Sequence, residues 1–116
     1  MNTNSSASER MIARPVGMGH PGPTETKRVP VRIIVADSEA IFRVGMGKIF
    51  ALEKDLEVVA QTDTLAQTFN VVSSTPADVI LFEAGLSPNP AESVSEVIRR
   101  SQPGTKIIVI SHITGE

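Results

Sequence analysis

Five polar residues stand where short apolar runs end. Asp37 and Ser38 follow residues 31–36, Glu83 follows residues 79–82, and Ser111 and His112 follow residues 106–110. Two carboxylates, two hydroxyls and an imidazole could bind a cation, hold a proton, or accept a group from a donor. Taken singly, none is diagnostic, because a chain leaving a buried strand turns polar in any case. Asp37 and Glu83 together say more: two acids on one rim repel each other unless a cation or a proton is shared. His112 has no second His or Cys near it in sequence, so it suggests no metal site and is assigned no role.

The elements that must position these residues are legible as periodicity. Residues 31–36 (Val-Arg-Ile-Ile-Val-Ala) are too few for a helix and rich in β-branched side chains, which predicts a buried strand. Ser38 is placed to cap a helix over 39–52, with Ile41, Val44 or Gly45, Lys48 or Ile49, and Leu52 as its inward stripe. Gly45 and Gly47 weaken that helix. A second strand is expected over 56–60. Asp63 or Thr64 then caps a helix that buries Leu65, Phe69 and Val72 and ends before Pro76. A third strand covers 79–82, and a loop with Gly85, Pro88 and Pro90 follows. It leads into a helix over 92–100 with Val94, Val97 and Ile98 as its apolar face, Gly104 beyond it, and a fourth strand over 106–110.

Strands and helices alternating at this spacing imply an α/β fold with right-handed crossovers around a parallel sheet. Ligands of such sheets sit beyond the carboxyl ends of the strands, which is where the five residues lie.

Length and composition narrow the function classes. The 116 residues, 41% hydrophobic, suffice for one domain. A formal net charge of −2 gives no basic footprint for a phosphate backbone, so nucleic acid is not expected as a direct partner. Without Cys there is no disulfide, thiolate nucleophile or Cys-ligated zinc, and the cytoplasm is the expected compartment. No apolar run is long enough for a bilayer or a signal peptide. Residues 1–29, rich in Asn, Ser, Thr, Gly and Pro, read as a disordered tail with a small cationic excess, and the domain is placed at 30–116.

The apolar runs ending in Asp37, Glu83 and Ser111, with Phe42-Arg43-Val44-Gly45 and Glu57-Val58-Val59 between them, resemble the receiver domain of two-component response regulators. The chain is most similar to receivers that precede a LuxR-type helix-turn-helix, from residue 31 to about residue 113. The resemblance implies a flavodoxin-like three-layer sandwich with strand order 2-1-3-4. The sequence ends at Glu116 before the fifth strand, its Lys and the last helix could appear. In that family two acids after the first strand bind Mg²⁺, an Asp after the third takes a phosphoryl group from a histidine kinase, and a Ser or Thr after the fourth responds. Asp37 then matches the first acid and is the one candidate metal ligand. Ser38 stands where the second acid belongs, Glu83 at the phosphoacceptor position, and Ser111 as the switch hydroxyl. The loop proline is displaced to Pro88, with Ser87 in its expected place.

These departures predict weakened Mg²⁺ binding, no obligatory cofactor, and no efficient phosphorylation. The expected function is a non-enzymatic, phosphorylation-independent signalling module. Its partners would be proteins, such as a histidine kinase or an output domain, with self-association through the fourth-strand edge. Glu83 would either imitate the phosphorylated state or mark a disused site. Two alternatives remain: the N-terminal fragment of a DNA-binding response regulator, and a small α/β phosphatase or hydrolase using Asp37 and Glu83. The hydrolase reading lacks a nucleophile paired with a base and a Gly-rich phosphate loop.

Overall fold

The computed structural model describes residues 29–112, so the expected tail, Val29 apart, and residues 113–116 lie outside the described residues. The element order is β1 (Val31–Ala36), α1 (Ala40–Phe50), β2 (Leu56–Thr62), α2 (Leu65–Ser74), β3 (Val79–Glu83), a 3₁₀ turn (Ala84–Leu86), α3 (Pro90–Arg100) and β4 (Lys106–Ile110). All strand pairs are parallel, as the alternation of elements predicts, in the order β2-β1-β3-β4 that the resemblance implies. Right-handed crossovers running in opposite directions from β1 put α1 on one face of the sheet and α2 and α3 on the other.

The core lies on the α2/α3 face. Ile34, Ile80 and Phe82 from the central strands meet Val72 of α2 and Val97 of α3, and all five are buried. Leu65, Phe69 and Val94 pack around them as expected, but Ile98 is 56% exposed. Ser93 of the same helix is buried instead, against Ser87 through a hydroxyl pair at 2.6 Å. Between β1 and β2 the register shifts after Ile33, which pairs with Val58 while Ile34 pairs with Ala60. The unmatched Val59 packs against the core.

Helix ends follow local chemistry. Thr64, rather than Asp63, caps α2 by accepting from the Gln67 amide at 3.1 Å. α3 begins at Pro90, earlier than expected, because a first-turn proline has no N–H to leave unpaired. Gly104 turns the chain into β4 with φ of 91°, a conformation open to glycine at no steric cost.

Two expectations for α1 are overturned. Ser38 does not cap it: the residue before the helix is Glu39, without a side-chain cap. The inward stripe is also shifted: Ile41, Val44, Lys48, Ile49 and Leu52 are all exposed, and of the expected positions Gly45 alone is half-buried. The side turned to the sheet carries Arg43, Met46, Gly47 and Phe50, each half-buried. Gly47 explains the choice, because a Cβ there would come within 3.0 Å of Gln61 Nε2 on β2. A glycine that weakens the isolated helix thus marks its contact side.

Candidate functional site

β1 and β3 run side by side with Ala36 opposite Phe82, so the next residues, Asp37 and Glu83, emerge together at the carboxyl ends of the central strands. Both side chains are buried, at 0% and 5% exposure. Two buried acids are tolerable only when each is compensated, and here each has its own partners.

Glu83 is held on both oxygens. Oε1 accepts from the Ser38 hydroxyl at 2.8 Å and the Ser38 amide at 3.2 Å, and Oε2 accepts from the Gly85 amide at 2.7 Å. Burial by itself would raise the Glu83 pKa. The three donors, with the nearby charge of His112, outweigh it and hold the carboxyl below its usual range. The hydroxyl expected to cap α1 is thus spent on Glu83. Gly85 is needed for the same grip, since a Cβ there would collide with the Glu83 carboxylate.

Asp37 turns the other way. Oδ1 accepts from the Glu39 amide at 2.9 Å, taking over the local capping role, and the Asp37 carbonyl accepts from Arg43 Nη1 at 2.8 Å. Its Oδ2 lies 2.7 Å from His112 Nε2. The imidazole stacks on Phe42 of α1, with ring centroids 3.7 Å apart and an interplanar angle of 13°. The hydrogen bond to Asp37 raises the His112 pKa. Partial burial opposes this, and the charges of Asp37, Glu83 and Glu39 reinforce it.

His112 is the residue that sequence reasoning missed. A signal for it exists: Ile110 pairs with Glu83, and continuing the alternation of β4 gives His112 the same facing as Ile110. The same alternation carries Ser111 to the other side, where it is exposed and makes no hydrogen bond to the described residues. One ligating atom each from Asp37, Glu83 and His112 lies within 4.8 Å of the others. Adjacency in the sheet thus brings His112 beside the two acids, which adjacency in sequence does not reveal.

No family model matches the chain. Among known proteins it is 30% identical over 82 residues to the transcriptional regulatory protein DegU of Brevibacillus brevis, covering 70% of this chain and 34% of DegU. It is 27% identical over 82 residues to the oxygen regulatory protein NreC of Staphylococcus haemolyticus, covering 70% of this chain and 38% of NreC. The chain thus spans little more than a third of these relatives. Its fold matches the response regulator domain of Thermotoga maritima CheB with a TM-score of 0.64 and 22% identity, over 75% of this chain and 64% of that one. It also matches the signal receiver domain of the putative response regulator NarL from Mycobacterium tuberculosis, with a TM-score of 0.63 and 24% identity, over 74% of this chain and 70% of that one. The strand order, the acids converging at the ends of β1 and β3, and the regulators that share its sequence agree: the chain has the receiver-domain fold and is similar in sequence to response regulators.

Proposed function

We propose that this receiver domain signals without a phosphorylation cycle, through protein partners. The observation that carries the reading is the grip on Glu83, whose two carboxylate oxygens are occupied by Ser38 and Gly85. A phosphoacceptor must present a free oxygen in line with the donor, and an error of about 1 Å in placement costs rate steeply. Glu83 carries an extra methylene and holds both oxygens in hydrogen bonds. Ser38 contributes a neutral hydroxyl where a second acid would share a cation.

The Mg²⁺ that the family implies also fits poorly. Mg²⁺ takes oxygen ligands in near-ideal octahedral geometry and keeps several waters. Here Ser38 offers a neutral hydroxyl where a second acid would stand, and the third group beside Asp37 and Glu83 is an imidazole rather than an oxygen ligand.

What remains is a carboxylate fixed at the phosphoacceptor position, a constant negative charge that a partner can read. The domain is then a non-enzymatic interaction module of the cytoplasm, binding a histidine kinase or an output domain. Self-association would use the β4 edge, where Ile108 and Val109 are 51% and 50% exposed. No helix among the described residues is long and apolar enough to cross a membrane.

The test is incubation of the full chain with a small-molecule phosphodonor and Mg²⁺, followed by intact-mass measurement. No phosphoryl adduct is expected, and a stoichiometric acyl phosphate on Glu83 would overturn the reading. A second reading, the receiver part of a longer DNA-binding regulator, is favoured by the lengths of DegU and NreC. An in-frame helix-turn-helix in the downstream coding sequence would establish it.

A further inference from the structure

His112 is the member of the cluster that the signalling reading leaves unused. We propose that Asp37, Glu83 and His112 bind a borderline transition-metal dication of the Zn²⁺ or Co²⁺ class, in place of the Mg²⁺ that the fold family implies. Three side chains from the ends of three adjacent strands, β1, β3 and β4, converge with their ligating atoms within 4.8 Å of one another. Two are carboxylates and the third is an imidazole nitrogen. An oxygen-only set favours Mg²⁺, whereas imidazole with carboxylates suits Zn²⁺ and its neighbours.

The surroundings resemble those of ligands held ready. Metal-binding side chains are commonly fixed by hydrogen bonds from a second layer of groups. Asp37 Oδ1 is fixed by the Glu39 amide, and the Glu83 carboxylate by Ser38 and Gly85. The His112 ring is fixed by the face of Phe42. Its side chain is 13% exposed and that of Asp37 0%, so the cluster is largely shielded from solvent by the described residues.

The side chains must adjust to close on an ion. Zn–N and Zn–O bonds of about 2.0–2.2 Å set tetrahedral ligand atoms roughly 3.3 Å apart. His112 Nε2 and Asp37 Oδ2, 2.7 Å apart, must separate slightly, and the atoms now spread over as much as 4.8 Å must draw in to that spacing. A neutral imidazole and two carboxylates would then balance the dication, and three protein ligands leave a position for water or a further ligand.

The experiment uses the full chain, stripped with a chelator, and titrates it separately with Zn²⁺, Co²⁺ and Mg²⁺ in a calorimeter. One Zn²⁺ or Co²⁺ per chain is expected, with affinity on the order of micromolar and Mg²⁺ at least about a hundredfold weaker. Co²⁺ should give visible absorption bands of a nitrogen-containing, low-coordinate site. His112→Ala and Asp37→Asn should each weaken Zn²⁺ binding at least about tenfold, while His20→Ala leaves it unchanged. Should a variant unfold, the native chain still gives an answer, since Co²⁺ must broaden the His112 imidazole resonances by NMR. Zn²⁺ binding no tighter than millimolar, or binding that survives His112→Ala and vanishes in His20→Ala, would overturn the proposal. Either result leaves the phosphodonor experiment unaffected, so failure here is distinguishable from failure of the signalling reading.

Discussion

His112 Nε2 lies 2.7 Å from Asp37 Oδ2, joining a residue after β4 to a fully buried carboxylate after β1, 75 positions earlier in the chain. In metal-free buffer this contact makes stability depend on pH. The folded-state pKa of His112 is raised, mainly by the hydrogen bond to Asp37. Its contribution is therefore complete below the unfolded imidazole value of about 6.5 and is lost as pH rises through the raised folded value. Thermal midpoints measured from mildly acidic to mildly alkaline pH should fall over that window, and His112→Ala should flatten the dependence. An unchanged slope in the variant would count against the assignment.

Glu83 has the opposite sign. Its folded pKa is lowered, so its contribution is present above the ordinary carboxylate range and is lost as pH falls through the lowered value. Ser38→Ala removes a hydrogen bond to a charged group and should cost roughly 1–2 kcal/mol in urea denaturation at neutral pH. It should also move the acid limb of the stability curve to higher pH. Ser38→Asp should be worse than Ser38→Ala at neutral pH and recover on acidification, as one of two facing acids takes up a proton.

Gly85→Ala puts a methyl group into the Glu83 carboxylate. The carboxylate must then release the Gly85 amide, and a clear loss of stability is expected. Glu83→Ala should relieve most of it, so a double-mutant cycle with strong coupling is the diagnostic result.

Phe82 has 0% exposure at the centre of the core, and Phe82→Ala should cost about 3–5 kcal/mol. That is a large share of a small domain's stability. Phe82→Leu, which keeps most of the volume, should stay folded with a smaller loss, read from the denaturant midpoint at constant slope.

The β4 edge carries two half-exposed aliphatic residues, Ile108 and Val109. Sedimentation velocity over a range of concentrations should show self-association of the wild-type chain, reduced by Val109→Lys. A wild-type chain that stays monomeric throughout would remove this edge as a self-association surface.

The sheet was readable from the chain because its strands are short β-branched runs with clear ends, and β1 and β4 fall where the pattern puts them. The meeting of Asp37 with Glu83 was readable too, since it follows from β1 and β3 being neighbours. What periodicity does not convey is competition between roles. Ser38 looks like a helix cap until Glu83 arrives across the sheet and takes its hydroxyl. α1 offers two apolar sides, and Gly47, which has no hydropathy to contribute, decides between them by letting the backbone approach Gln61. His112 was hidden for a different reason: its partners, Asp37 and Phe42, are near only after the sheet forms.

The shared hydrogen bonds between Ser38 and Glu83 also bear on how such a site can change. An acid at position 38 facing Glu83 brings like charges together, while a serine facing a shorter Asp at 83 places its hydroxyl short of its partner. The two positions are therefore epistatic. Changing either one alone should leave a protein less stable than changing both together.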